Sequence, residues 1–313
     1  QVSGLRLKTK KQNVPDGWHV PARHIDVRGA FLLFPWKNVL ASYTIRKMGK
    51  LKREREGRYA FVHRGESVDM AELVAGIERP ARRFTGGRGA PGVFEFGGRT
   101  VVCRQYFHGG WLRGVTGANF LGEERALREL EVTAYLEERG FPVISPVGYV
   151  VEKQASCRKL YFLSLFLPDA RDLVAYFFSA GVRERLRMAK KLASTLFEMG
   201  RLGVYHPDLH LRNVLATSNG GLFLLDFDKA YRKEVASSDY ERMFWRLDRF
   251  VRKYASLFGR PIDDRERLIF LRTYERLSGD RITKRMSQKR DQMNRTSKLG
   301  WTIDRLIYRR KKT

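Results

Sequence analysis

Three polar residues, and the short hairpin that separates them, constrain this chain more than any other feature. Asp208 and Asn213 stand five positions apart in His206-Pro207-Asp208-Leu209-His210-Leu211-Arg212-Asn213. Asp226 follows thirteen residues later, in Leu224-Leu225-Asp226-Phe227-Asp228. Val214-Leu215-Ala216 reads as a short apolar strand, Ser218-Asn219-Gly220-Gly221 as a turn, and residues 222–225 as the returning strand. A hairpin brings its two ends together, so Asp208 and Asn213 before it should meet Asp226 after it. Loop Asp and Asn are ordinarily turn formers and caps. The fixed spacing around a hairpin is what lifts these three above that background.

The upstream sequence supplies matching parts. Residues 182–202 carry Leu186, Ala189, Leu192, Ala193, Leu196 and Phe197 at helical spacing, and Gly203 reads as the stop. Gly86-Gly87-Arg88-Gly89-Ala90-Pro91-Gly92 contains G-x-G-x-x-G. Strand-like residues follow it, Val93 to Phe96 and Thr100 to Tyr106, with Gly97-Gly98 as the turn. A dinucleotide-binding loop would open a helix instead. Arg104, on the second strand, is a permanently charged fork able to grip phosphate. Residues 122–139 then form an amphipathic helix with Leu127, Leu130, Ala134 and Leu136 on one face, ended by Gly140. Glu129 is its best candidate to hold Arg104, with Glu131 second. Two apolar runs, 147–151 and 160–167, read as further strands, and Leu167-Pro168-Asp169-Ala170 as a hinge.

This order of parts resembles protein-kinase-like phosphotransferases. There, one Asp orients the acceptor hydroxyl, an Asn and a second Asp hold magnesium, and a glycine loop covers the ATP phosphates. More narrowly, the chain resembles the lipopolysaccharide core kinase family, most of all its members that act on 3-deoxy-D-manno-octulosonic acid (Kdo). The segments that carry the likeness are Gly87-Arg88-Gly89-Ala90, Cys103-Arg104-Gln105-Tyr106 with Gly109-Gly110, Arg125 to Glu129, Gly140 to Val143, Gly203 to Leu209, Asn213-Val214-Leu215 and Leu225-Asp226-Phe227-Asp228. They span about 84–230, with weaker similarity to about 278.

The resemblance implies an α+β, two-lobed protein-kinase-like fold: an antiparallel-sheet N-lobe and a mainly helical C-lobe. It implies ATP and Mg2+ as cofactors, with Asp208 catalytic, Asn213 and Asp226 binding metal, and Gly87, Gly89, Arg104 and Glu129 binding the nucleotide. The acceptor would be a hydroxyl, O-4 of Kdo, on a lipid-linked Kdo-containing glycolipid. His210 stands where the Kdo-directed members commonly have Asn; it would either brace the loop or touch acceptor or phosphate. Residues 243–277 are closer to a heptose-kinase ending, so heptose is the alternative acceptor. An atypical kinase acting on protein or associated with RNA uses the same Asp-Asn-Asp core. The chain lacks a long activation segment closed by Ala-Pro-Glu, which argues against phosphorylation-controlled protein kinases.

Composition points to an anionic partner. Lys and Arg number 61 against 34 Asp and Glu, a net charge of +27. Nucleic acid, an anionic membrane face and a phosphorylated glycolipid all fit that balance, the last two best with the motifs. Basic residues crowd 46–58, and residues 279–313 hold twelve Lys and Arg against three Asp. Trp301, Ile303, Leu306, Ile307 and Tyr308 precede Arg309-Arg310-Lys311-Lys312, a composition suited to a bilayer interface. No stretch approaches the roughly 20 apolar residues of a membrane span, and no leader is visible. The two cysteines, Cys103 and Cys157, lack metal-ligand spacing. Hence the expected organisation is a basic extension over 1–80, an N-lobe over 81–167, a C-lobe over 168–278 and a basic amphipathic tail over 279–313. The expected location is the cytoplasmic face of the inner membrane.

Overall fold

The computed structural model describes residues 51–65, 68–84, 90–108, 117–259 and 262–290. Its architecture is α+β and two-lobed, as expected. The N-lobe elements are β1 (Lys52–Glu56), β2 (Tyr59–His63), α1 (Met70–Glu78), β3 (Arg82–Arg83), β4 (Gly92–Phe96), β5 (Arg99–Gln105), α2 (Glu124–Glu137), β6 (Pro146–Lys153) and β7 (Arg158–Leu165). The seven strands form one antiparallel sheet in the order β1-β2-β6-β7-β5-β4-β3.

Strand alternation gives this sheet two apolar faces. Tyr59 and Phe61 point to the side where α1 lays Met70 and Leu73. Ala60 and Val62 point to the other, where α2 lays Ala126 and Leu130. Helix α1 starts because Asp69 accepts hydrogen bonds from the Ala71 and Glu72 N–H groups, at 2.9 and 3.2 Å. It approaches β4 closely at Gly76, where an added Cβ would lie 2.1 Å from the Phe94 ring.

The expected boundary at 80/81 does not coincide with a break in this lobe, because β1, β2 and α1 are built into it. Part of the basic run over 46–58 becomes an edge strand. Arg53 there pairs with Glu123 at 2.7 Å, and Arg58 lies 3.4 Å from Glu152. Charged edges of this kind resist pairing with other chains.

The C-lobe begins with β8 (Arg171–Asp172), α3 (Leu173–Ser179) and α4 (Val182–Arg201). Then come β9 (Val204–Tyr205), a 3-10 turn (Leu211–Asn213), β10 (Val214–Ala216), β11 (Leu222–Leu224) and β12 (Tyr231–Arg232). Helices α5 (Ser237–Phe258) and α6 (Asp264–Ser278) follow, with α7 over 282–290. The inner face of α4 buries Ala189, Leu192, Ala193 and Leu196 as its spacing requires, with Phe197 packed at the margin. Along α5, Met243, Phe244 and Leu247 are buried, and Phe250, Val251 and Tyr254 flank them. Helix α6 is less regular in its apolar spacing. Phe270, Leu271 and Tyr274 face the core, while Leu268 is about half exposed.

Ile282 and Met286 are fully buried in the same cluster. The segment read as a tail from 279 therefore begins as a core helix. Its Arg285 and Lys289 pair with Glu241, at 3.1 and 3.3 Å. The cluster of aromatic and basic residues over 301–312 lies outside the described residues.

Candidate active site

β10 and β11 pair antiparallel, Val214 opposite Leu224, so the hairpin forms as expected. Asn213 ends the 3-10 turn before it, and Asp226 lies two residues after β11. The Leu225 N–H donates to the Asn213 carbonyl at 3.0 Å, which ties the two open ends of the hairpin together. The Asn213 side-chain nitrogen donates to the Asp208 carbonyl at 3.3 Å. That bond leaves Asn213 Oδ1, with its lone pairs, as the group offered to a cation. Asp226 has φ +66°, a left-handed conformation that Asp tolerates better than most side chains. The structure thus brings Asp208, Asn213 and Asp226 together.

Arg104 projects from β5 into the same place. Its Nη2 lies 2.7 Å from both Glu129 carboxylate oxygens and 3.3 Å from Asp226 Oδ1. Glu129 is buried on α2, whereas Glu131, the second candidate, is not in this cluster. The Tyr106 hydroxyl, fully buried, donates to Glu129 Oε2. Burial works against the Arg104 charge, yet Asp226 and Glu129 outweigh it and hold the guanidinium well above its ordinary value. Burial also pushes the Glu129 carboxyl up to about 7, with Arg104 pulling the other way. Tyr106 is pushed well above its usual range, first by burial and then by the Glu129 charge, so it stays a donor.

Arg104, Glu129 and Asp226 border a cleft of about 750 Å³ between the lobes. Val102, Phe162, Leu165 and Leu225 give it an apolar interior, and the expected hinge, Leu167 to Ala170, forms part of its wall. An apolar slot with a few convergent charged groups at one end is suited to a flat base with a phosphate tail. Gly87 and Gly89 lie outside the described residues, in the link between the paired strands β3 and β4.

The residues fit a divalent cation. Asp226 Oδ1 is buried with no hydrogen-bond donor, Arg104 being near it but not bonded to it. A carboxylate and an amide oxygen beside a phosphate-sized space match the way magnesium is held in phosphotransfer sites, by one or two protein oxygens together with the phosphates.

Asp208 is more constrained than the sequence suggests. Lys229 donates to its Oδ2 at 2.7 Å, and Arg246 from α5 donates to its Oδ1. Burial alone would raise the Asp208 carboxyl, but hydrogen bonds from Lys229 and Arg246 overcome it and hold the group well below the usual carboxylate range. His210 stacks on Phe250 with ring centroids 5.0 Å apart, and its Nδ1 is buried without a partner. That stack packs the Asp208 loop against α5. His206 is fully buried, and burial pushes its imidazole down to about 4.

Sequence reasoning assigns no role to Tyr106, Arg125, Asp228, Lys229 or Arg246. Arg125, at the start of α2, forms an ion pair with Asp228, joining the N-lobe to the segment just after Asp226. Asp228 is legible as the residue that follows Asp226-Phe227. Arg246 carries no local signal, because 38 residues separate it from Asp208.

An antiparallel N-lobe, a helical C-lobe and this hairpin-centred constellation in the cleft between them define an ATP-dependent kinase. Residues 83–274 match the family model described as the lipopolysaccharide kinase (Kdo/WaaP) family, and the chain belongs to that family. It is 26% identical over 186 residues to a 3-deoxy-D-manno-octulosonic acid kinase of Vibrio parahaemolyticus, covering 58% of this chain and 76% of that one. A protein of the same description from Xanthomonas oryzae is 29% identical over 189 residues, covering 58% and 75%. A third, from Vibrio cholerae, is 28% identical over 149 residues, covering 46% and 63%.

Proposed function

We propose that this kinase transfers the γ-phosphate of ATP to a Kdo hydroxyl, O-4, on the lipid-linked inner core of lipopolysaccharide. The observation that carries the chemistry is the meeting of Asp208, Asn213 and Asp226 beside the Arg104–Glu129 pair. The named relatives carry the acceptor.

Bound magnesium-ATP supplies the phosphoryl group and the charge that neutralises its oxygens. Asp226 and Asn213 would hold the metal. Arg104, kept in place by Glu129 and Tyr106, would meet the phosphates. Asp208 orients the acceptor hydroxyl and receives its proton as the new bond to phosphorus forms. A carboxylate held this strongly in its ionised form is a weak proton sink, so its worth lies mainly in positioning. Phosphoryl transfer through a loose transition state asks for just that.

A lipid-linked acceptor places the enzyme at a membrane, on the cytoplasmic face of the inner membrane where ATP is present. No described helix is long and apolar enough to cross it. Attachment would be peripheral, through basic residues worth about 1 kcal/mol each near an anionic surface.

The deciding experiment is a mass spectrum of Kdo-lipid A, and separately of heptosylated core, after incubation with enzyme and magnesium-ATP. A one-phosphate increase on the Kdo acceptor, absent with Asp208→Ala, is expected. An increase confined to the heptosylated core would replace Kdo by heptose.

A further inference from the structure

Both carboxylate oxygens of Asp208 are occupied by cations from separate parts of the chain. Lys229 comes from the loop after β11 and Arg246 from the middle of α5. Asp208 is the one acidic partner within ion-pair distance of either among the described residues. Neither cation is buried: Lys229 is 52% exposed and Arg246 41%, against 25% for Asp208 between them. A hydroxyl that approaches Asp208 must therefore arrive between an ammonium and a guanidinium, both in contact with solvent. On the same side of α5, Arg249 is exposed three positions after Arg246, and Arg242, four before it, is exposed but paired with Asp239. That spacing puts the three on one helical face.

We infer that Lys229 and Arg246 bind an anionic group carried by the acceptor sugar itself, close to the hydroxyl that is phosphorylated, and so select an acidic sugar over a neutral one. The inference rests on the proposed sugar-kinase reading and sharpens it. The acids in the names of the relatives carry a carboxylate, and heptose does not. A carboxylate placed between these two heads receives charge-assisted hydrogen bonds from both, with the guanidinium able to offer two parallel N–H groups. A neutral sugar would face the same two charges without compensation. Neither residue needs to leave Asp208 fully, because a guanidinium has five N–H donors and an ammonium three.

The test compares Kdo-lipid A with its Kdo methyl ester, in which the hydroxyls are intact and the carboxylate is neutral. Acceptor kcat/KM is measured for the wild type, Lys229→Gln, Arg246→Gln and the double variant, alongside KM for ATP. For the wild type, esterification should lower kcat/KM by about 10²-fold, the worth of two hydrogen bonds to a charged group. That penalty should shrink to about 10-fold in each single variant and vanish in the double variant, while KM for ATP stays within about 2-fold. Arg246→Lys should restore part of the preference.

An ester as good as the acid with the wild type would overturn the inference. So would an ester penalty that is the same in every variant, since purely structural roles at Asp208 would lower both acceptors alike. Absence of phosphate on both acceptors with the wild type is a different result. It would overturn the Kdo reading, and the selection by charge with it.

Discussion

Arg125 and Asp228 join the two lobes through an ion pair set two residues beyond Asp226. Arg125 also donates to the Phe107 carbonyl at 3.0 Å and lies over the Tyr106 ring, 5.1 Å from its centroid. One guanidinium thus braces both the helix that carries Glu129 and the loop that carries Asp226. Removing it leaves Asp228 buried and unpaired. Arg125→Ala should therefore cost about 3 kcal/mol in stability, as for a broken, largely buried pair. Denaturant midpoints for Arg125→Ala, Asp228→Ala and the double variant would measure this. The two singles should couple by at least about 0.5 kcal/mol, and strict additivity would remove the pair from the account.

Asp208→Ala should lower turnover by about 10²-fold, the worth of holding the reacting hydroxyl in position. Asp226→Ala should abolish metal-dependent turnover with the chain still folded, because Asp226 Oδ1 accepts no hydrogen bond and Arg104 keeps its pair with Glu129. Turnover near wild type for Asp208→Ala would end its assignment.

Glu129→Gln and Tyr106→Phe act on the same contact with different force. Glu129 supplies the charge that holds Arg104, whereas Tyr106 supplies one hydrogen bond to Glu129. Glu129→Gln should raise KM for ATP and lower turnover, and Tyr106→Phe should do the same more weakly. Nucleotide binding measured by calorimetry separates the two. Equal effects would mean that Tyr106 does more than orient the carboxylate.

Stability should fall with acid through His206. Its imidazole titrates near 4 in the folded protein, against about 6.5 in an unfolded chain. The folded state therefore gains from the neutral form, fully above pH 6.5, and loses that gain as pH falls toward 4. The loss amounts to about 2 kcal/mol by pH 5. His210 and His63, both lowered mainly by burial, act in the same direction. Urea midpoints at pH 7 and pH 5 should differ less in His206→Gln than in wild type. An unchanged difference would exclude the residue as the titrating group.

Membrane attachment should survive or fail with residues 291–313. A truncation at 278 would remove Ile282 and Met286 from the core and confuse unfolding with loss of binding. Ending the chain after Arg290 avoids this. The shortened enzyme should sediment less with anionic vesicles and phosphorylate a short-chain acceptor normally. Equal sedimentation would assign attachment elsewhere.

Much of this site can be read from the sequence because its parts are local. Asp208, Asn213 and Asp226 lie within nineteen positions around one hairpin, and turn chemistry fixes a hairpin nearby in the chain. Glu129 stands first of the two candidates on its helix, and the structure buries it against Arg104. What stays hidden depends on packing between distant segments. Arg246 is one of several basic residues on α5 until that helix docks beside the Asp208 loop. The edge strand β1 is masked because all five of its residues are charged, and β2, though apolar and buried, is only five residues long and follows directly on that charged run. Ile282 and Met286 look like incidental apolar residues in a basic tail.

The segment between α2 and β6 has a mechanical consequence. Phe141 and Val143 are buried in the C-lobe cluster, and the backbone around them bonds to β11: Leu224 N–H donates to the Pro142 carbonyl, and Ile144 N–H to the Leu224 carbonyl. The helix bearing Glu129 is thus pinned at its far end to the hairpin leading to Asp226. In many kinases the equivalent helix swings outward to switch activity off. Here such a swing would tear apolar residues from the opposite lobe. The same packing that places the hairpin before Asp226 thus also fixes the end of the helix that carries Glu129.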